Sequence, residues 1–132
     1  MAGRDVRRSP AMTVLWVAIG AAAGAPLRFL VDKHMVARLL LSARIETPLP
    51  WGTFTVNVLG SFLLGVLTGV GNHTIALLAG VGFCGAFTTY STFAAETTAL
   101  ARSGHVAKAL LNVALNLGFG LLAAVLGAWS IK

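Results

Sequence analysis

The chain has 132 residues, 57% of them hydrophobic and 11% charged, with a mean hydropathy of +0.83 and a formal net charge of +6. These values exclude an ordinary soluble globular domain and place the chain among membrane proteins. The ten Lys and Arg residues are spread over the segments that flank the apolar stretches, so the positive balance reads as lipid-surface anchoring and not as a nucleic-acid footprint.

Residues 1–11 form a basic tail, and residues 12–132 read as one all-α transmembrane domain. Its four apolar segments are Met12 to Val31, Phe54 to Val70, Ile75 to Phe93 and Ala109 to Trp129, each close to the roughly 20 residues that cross a bilayer. The first is span-length and lacks a small-residue cleavage site, so it is expected to remain as a helix and not to be removed as a signal peptide. It carries Gly20, Ala21, Ala22, Ala23, Gly24 and Ala25, which let a neighbouring helix approach closely. Pro26 and Arg28 mark its end. Asp32 to Ala43 alternates apolar and basic residues like a short interfacial helix, and Thr47 to Pro50 is a turn.

Trp51 opens the second span as an interface aromatic. Within the span, Thr53, Asn57, Ser61 and Thr68 recur at a helical spacing that brings them near one face, which should point inward. Asn57 matters most, because an amide in hydrocarbon needs partners for two donors. That need is met either by a hydrogen bond that glues helices together or by an ion path. The loop GNHT then permits only a tight antiparallel connection.

The third span contains GFCGAFTTYSTFAAE, from Gly82 to Glu96. Glycines and clustered hydroxyls at membrane depth are tolerated where they face protein or a water-filled cavity, so this stretch suggests an ion site. Its lone Cys84 excludes an intramolecular disulfide and a cysteine metal site, and reads as a small buried hydrophobe. Arg102, Ser103 and Gly104 form a turn. In the fourth span, Asn112, Asn116 and Gly120 stand four apart and repeat the polar stripe. His34, His73 and His105 fall outside the span centres and read as interfacial.

Lys and Arg in short loops set orientation. One side receives Arg4, Arg7, Arg8 and Lys132, the other Lys33, Arg38, Arg44, Arg102 and Lys108, with Arg28 nearby. So even a balance makes insertion both ways, and hence an antiparallel homodimer, a natural expectation; a single weakly determined orientation is the alternative. The stripes offer amides and hydroxyls without an acid among them, a pattern that suits an anion. The edges of Phe83, Phe87 and Phe93 carry the positive part of the ring quadrupole and can add to it. Carbonyls freed where Gly85 to Thr88 interrupts a helix would suit a cation instead.

Three blocks together resemble the Fluc (CrcB) family of small bacterial fluoride channels: GAAAGAPLRF from Gly20 to Phe29, GTFTVNVLGSFLLGVLTG from Gly52 to Gly69, and GFCGAFTTYSTFAAE. The resemblance implies four transmembrane helices per subunit with the third broken, an antiparallel dual-topology dimer in the cell inner membrane, two fluoride pores and a central sodium ion. Asn57 matches the asparagine that contacts fluoride, Thr53 a threonine one turn earlier, and Phe93 the second phenylalanine of a pair whose edges face the anions. Tyr90 stands where the first is commonly phenylalanine. Gly85 and Thr88 match the positions whose carbonyls hold sodium, and Arg28 resembles the arginine closing the first helix. Ala21 and Ala86 stand where glycine is frequent, and Asn116 where serine is common. Ser91, Thr92, Asn112 and Asn116 continue the polar track, and Glu96, which also matches a family position, has Arg28 and Arg102 as candidate partners.

The function so implied is passive export of fluoride, trapped in the cytoplasm after HF enters and ionises. The chain shows no phosphate-binding loop, metal-ligand cluster or nucleophile triad, and no enzymatic activity is expected. The alternative is a small multidrug-type proton-coupled exporter, which needs a carboxylate in mid-span of the first helix; this chain has Gly and Ala there, and Glu96 is the sole candidate.

Overall fold

The computed structural model describes residues 10–36, 38, 41 and 49–132. Arg4, Arg7 and Arg8 of the basic tail, Arg44, residues 37, 39, 40, 42 and 43 of the expected interfacial helix, and the first two residues of the Thr47 to Pro50 turn lie outside the described residues.

Every described element is helical. Helix α1 is Pro10–Leu30 and continues as the wider π-helical turns of Val31–Val36. Pro10 opens it, a position whose backbone N–H would have no intrahelical partner in any case. Pro26 lies inside the helix and does not end it, contrary to the sequence expectation. Helix α2 is Trp51–Leu67, displaced toward the N-terminus from the expected span. Residues 73–87 form α3, built from His73–Ile75, the π-helical Ala76–Cys84 and Gly85–Phe87. The Asn72 Oδ1 caps its start by accepting from Ile75 N–H at 3.2 Å.

Thr88 and Thr89 are extended, with ψ of 162° and 122°, and helix α4 restarts at Tyr90–Arg102. The third span is therefore broken, and it runs on to Arg102 instead of stopping at Phe93. Gly104, at φ 86°, supplies the left-handed residue that lets the chain reverse into α5, Val106–Trp129.

Small residues set the packing. A Cβ on Gly20 would strike the carbonyl of Leu78, and one on Gly24 the carbonyl of Phe83, so α1 lies directly against the α3 backbone. A Cβ on Gly65 would meet the Ala124 carbonyl, and one on Gly127 the Phe62 carbonyl, which locks α2 onto α5 in the same way. Helix α4 packs on α5, and the π-helical end of α1 reaches α2, where the Asp32 carboxylate fills the space beside Gly52.

The distribution of polarity is inverted relative to a soluble protein. Thr53, Thr89, Asn112 and Asn116 are buried, while Leu110, Leu121, Leu117 and Val125 are exposed. Pro10–His34, His73–Arg102 and Val106–Trp129 are each long and apolar enough to cross a membrane, and the 17-residue α2 is apolar but shorter.

Candidate functional site

The break between α3 and α4 creates unsatisfied backbone groups, and the neighbouring side chains are arranged around them. In an uninterrupted helix the Thr89 N–H would close on the carbonyl of Gly85. Here it donates to Asn57 Oδ1 at 2.9 Å, so Gly85 loses its helical donor. The Thr92 N–H, which would serve the carbonyl of Thr88, donates to Thr89 Oγ1 at 3.2 Å as the cap of α4. Both carbonyls that the sequence marks for a cation are thus deprived of their helical donors. Gly85 itself remains helical, and the extended residues are Thr88 and Thr89, at the end of the expected Gly85 to Thr88 interruption and one residue past it.

Asn57 bridges three elements. Besides accepting from Thr89, its Nδ2 donates to Asn116 Oδ1 on α5 at 3.1 Å and, in a longer bond of 3.4 Å, to the Thr89 carbonyl. Asn116 Nδ2 in turn reaches the Asn112 Oδ1 at 3.0 Å and its carbonyl at 2.9 Å, and Asn112 Nδ2 donates to Thr97 Oγ1 at 2.8 Å. The Asn57–Asn116 bond joins the polar stripe of α2 to that of α5.

An open groove of about 710 Å³ runs over this region, lined by Asn57, Ser61, Gly85, Thr88, Phe93 and Asn116 among others. Gly60 permits close approach at its floor, because a Cβ there would strike the Thr88 methyl. Gly85 has open space where a side chain would be. Tyr90 also borders the groove and is 81% exposed, its ring 6.1 Å from that of Phe93 and tilted by 48°.

The remaining sequence candidates fall around this groove and not in its wall. Ser91 is exposed, with Oγ 3.5 Å from Thr89 Oγ1, and Thr92 is half-buried. Asn112, only 3% exposed, sits behind Asn116. Phe83 and Phe87 stack on each other at 5.6 Å and do not line the groove, although the Phe87 ring lies against Gly60 of α2. Thr53, 2% exposed, donates to Glu96 Oε1 at 3.1 Å. Neither Arg28 nor Arg102 forms a salt bridge among the described residues, so the partner of Glu96 is this threonine and not an arginine. The second carboxyl oxygen of Glu96 is buried without a hydrogen-bond partner among the described residues.

Two contributors escaped the sequence reading. Thr89 works through its backbone and its cap, for which the signal is a hydroxyl residue just ahead of a helical run. Thr97 works by its position four residues after Phe93, whose carbonyl accepts its hydroxyl at 2.7 Å.

Long apolar helices around buried amides and hydroxyls, with a helix interrupted beside them, define a multi-pass helical membrane protein with a polar interior. Residues 15–128 match the family described as CrcB-like protein, Camphor Resistance (CrcB), and the chain belongs to that family. Among its relatives, "Fluoride-specific ion channel FluC 1" of Streptomyces avermitilis is 42% identical over 123 residues, covering 89% of this chain and 94% of the relative. The protein of the same name from Frankia casuarinae is 44% identical over 127 residues, with the same coverage. "Fluoride-specific ion channel FluC" of Shewanella halifaxensis is 40% identical over 119 residues, covering 86% of this chain and 91% of the relative.

Proposed function

We propose that this chain is a fluoride-selective ion channel of the cell inner membrane that lets fluoride leave the cytoplasm passively. The relatives' names support the ion, and the Asn57 amide held at the helix break is the observation that carries the reading. Fluoride is small and strongly hydrated, so a path through apolar surroundings must replace water with fixed donors. Of the two Asn57 N–H bonds, the one to Thr89 O is long at 3.4 Å and is the weaker, so an anion in the groove can take it over while the bond to Asn116 keeps the amide in place.

Asn116 stands beside Asn57 in the groove wall, with Asn112 behind it and Thr53, Ser91 and Thr92 around it, and Tyr90 and Phe93 present ring edges to the anion. Arg28 sits in the last α-helical turn of α1, and Glu96 is tethered through Thr53.

The subunits pair as an antiparallel, dual-topology homodimer. The open groove supports this, since an apolar face with polar backbone at its centre is completed by a second copy. A sodium ion fits the carbonyls of Gly85 and Thr88, which lack helical donors on a face with room for a ligand. When bound there, it would supply a fixed positive charge at the helix break. Export needs no energy source: fluoride trapped as the anion is driven out by the membrane potential.

Liposomes loaded with potassium fluoride and treated with a potassium ionophore test this directly. Fluoride should appear at a selective electrode far faster than chloride leaves matched controls. Equal release of the two anions, or no release, contradicts the proposal.

A further inference from the structure

The buried amides form a chain with one direction. Thr89 N–H donates to Asn57 Oδ1, Asn57 Nδ2 to Asn116 Oδ1, Asn116 Nδ2 to Asn112 Oδ1, Asn112 Nδ2 to Thr97 Oγ1, and Thr97 Oγ1 to the carbonyl of Phe93. Each side chain receives on its oxygen and gives through its nitrogen or hydroxyl. The backbone N–H of Thr89 can only donate, which fixes the polarity at one end. Turning Asn57 or Asn116 over would set donor against donor on one side and oxygen against oxygen on the other, and turning Asn112 over would set donor against donor at Asn116. Asn112, 3% exposed, is closed off behind Asn116, so such a mismatch there carries the full cost of an unmatched buried polar group. The chain starts at the helix break and returns to α4 at Phe93, so it ties the interruption, the amide at the groove and the aromatic residue at the groove into one unit.

Only part of this chain touches the groove. Asn57, Asn116 and Phe93 line it, whereas Asn112 and Thr97 stand behind its wall. We propose that Asn112 and Thr97 are positioning residues for anion passage: without touching the ion, they fix the orientation of Asn116 and, through it, keep the Asn57 N–H turned to the groove. The inference rests on the fluoride-channel reading. Thr97 is the informative member, because its hydroxyl both accepts from Asn112 and donates to the Phe93 carbonyl.

The test compares Thr97→Val, which keeps the branched shape without the hydroxyl, with Thr97→Ser, which keeps the hydroxyl. Two quantities are read: the side-chain ¹H–¹⁵N NMR signals of Asn57 in micelles without fluoride, assigned by their loss in Asn57→Leu, and the fluoride efflux rate from liposomes. Thr97→Val should move the Asn57 signals and slow efflux by roughly tenfold, the order expected when a buried donor loses its acceptor. Thr97→Ser should restore both and serves as the control for folding. Unchanged Asn57 signals in Thr97→Val overturn the relay whatever the flux, as does a slowed efflux that Thr97→Ser fails to restore. Absence of efflux from the unsubstituted chain contradicts the channel reading itself, while the NMR comparison still decides whether the relay exists.

Discussion

Asn57 holds Thr89 from both sides, accepting from its N–H at 2.9 Å and donating to its carbonyl at 3.4 Å, while its remaining hydrogen goes to Asn116. A single side chain thereby replaces the backbone partner that the broken helix lacks and carries the donor that faces the groove. Asn57→Leu removes both services. Leaving the Thr89 N–H unpaired costs about 1–3 kcal/mol, and each 1.4 kcal/mol is about tenfold in a rate or equilibrium constant. Fluoride efflux from Asn57→Leu liposomes should therefore fall by roughly tenfold or more, and efflux within twofold of the unsubstituted chain would show that the amide is not on the path. The two stripes, Thr53, Asn57 and Ser61 on α2 and Asn112 and Asn116 on α5, were legible from spacing alone, because residues four apart share a helix face. Their partners were not, since which amide meets which depends on how α2 and α5 cross. The same holds for Glu96: charge pairing pointed to an arginine, and the crossing of α2 with α4 brought Thr53 instead.

At the scale of elements, two pairs of helices approach through glycine, α1 on α3 and α2 on α5. The first was foreshadowed by the small residues from Gly20 to Ala25. The second was hidden, because Gly65 and Gly127 lie far apart in sequence and neither sits in a cluster. Substituting Gly127→Val would drive a side chain into the Phe62 carbonyl and force the helices apart. Overpacking of this kind costs typically about 1–3 kcal/mol. The thermal unfolding midpoint of Gly127→Val in detergent should fall clearly, whereas Gly118→Val, at a position with nothing within 4 Å, should leave it almost unchanged. Equal midpoints for the two variants would mean that the α2–α5 contact is not set by glycine. Span lengths were legible to within a few residues except at the third, where the hydroxyl cluster conceals the continuation of α4 to Arg102: polar residues end an apolar run in sequence, but Thr97 and Thr98 return their hydroxyls to the Phe93 and Ala94 carbonyls and stay helical.

For the whole molecule, the proposed pairing with a second, inverted copy rests on the balance of basic residues and the open groove over Gly85 and Thr88. A cysteine placed by Gly71→Cys, at the exposed α2–α3 connection with open space around it, reports sidedness. In intact cells an impermeant maleimide should label about half of the molecules before lysis and the rest after it, on the near-even charge balance. Labelling of all or none before lysis would leave the groove to some other occupant. The membrane-helical class was legible because hydropathy alone marks helices that can cross a bilayer, whereas the proposed dimer is a matter of two surfaces meeting and has only the indirect trace of charge symmetry in the sequence.

Selective conduction is the central claim, and the reversal potential of a reconstituted planar bilayer tests it most directly. With a tenfold gradient of fluoride opposed by the reverse tenfold gradient of chloride, and equal potassium on both sides, a fluoride-selective path should reverse at about 59 mV with the sign set by fluoride. A reversal near zero, or one of the sign set by chloride, would contradict the account.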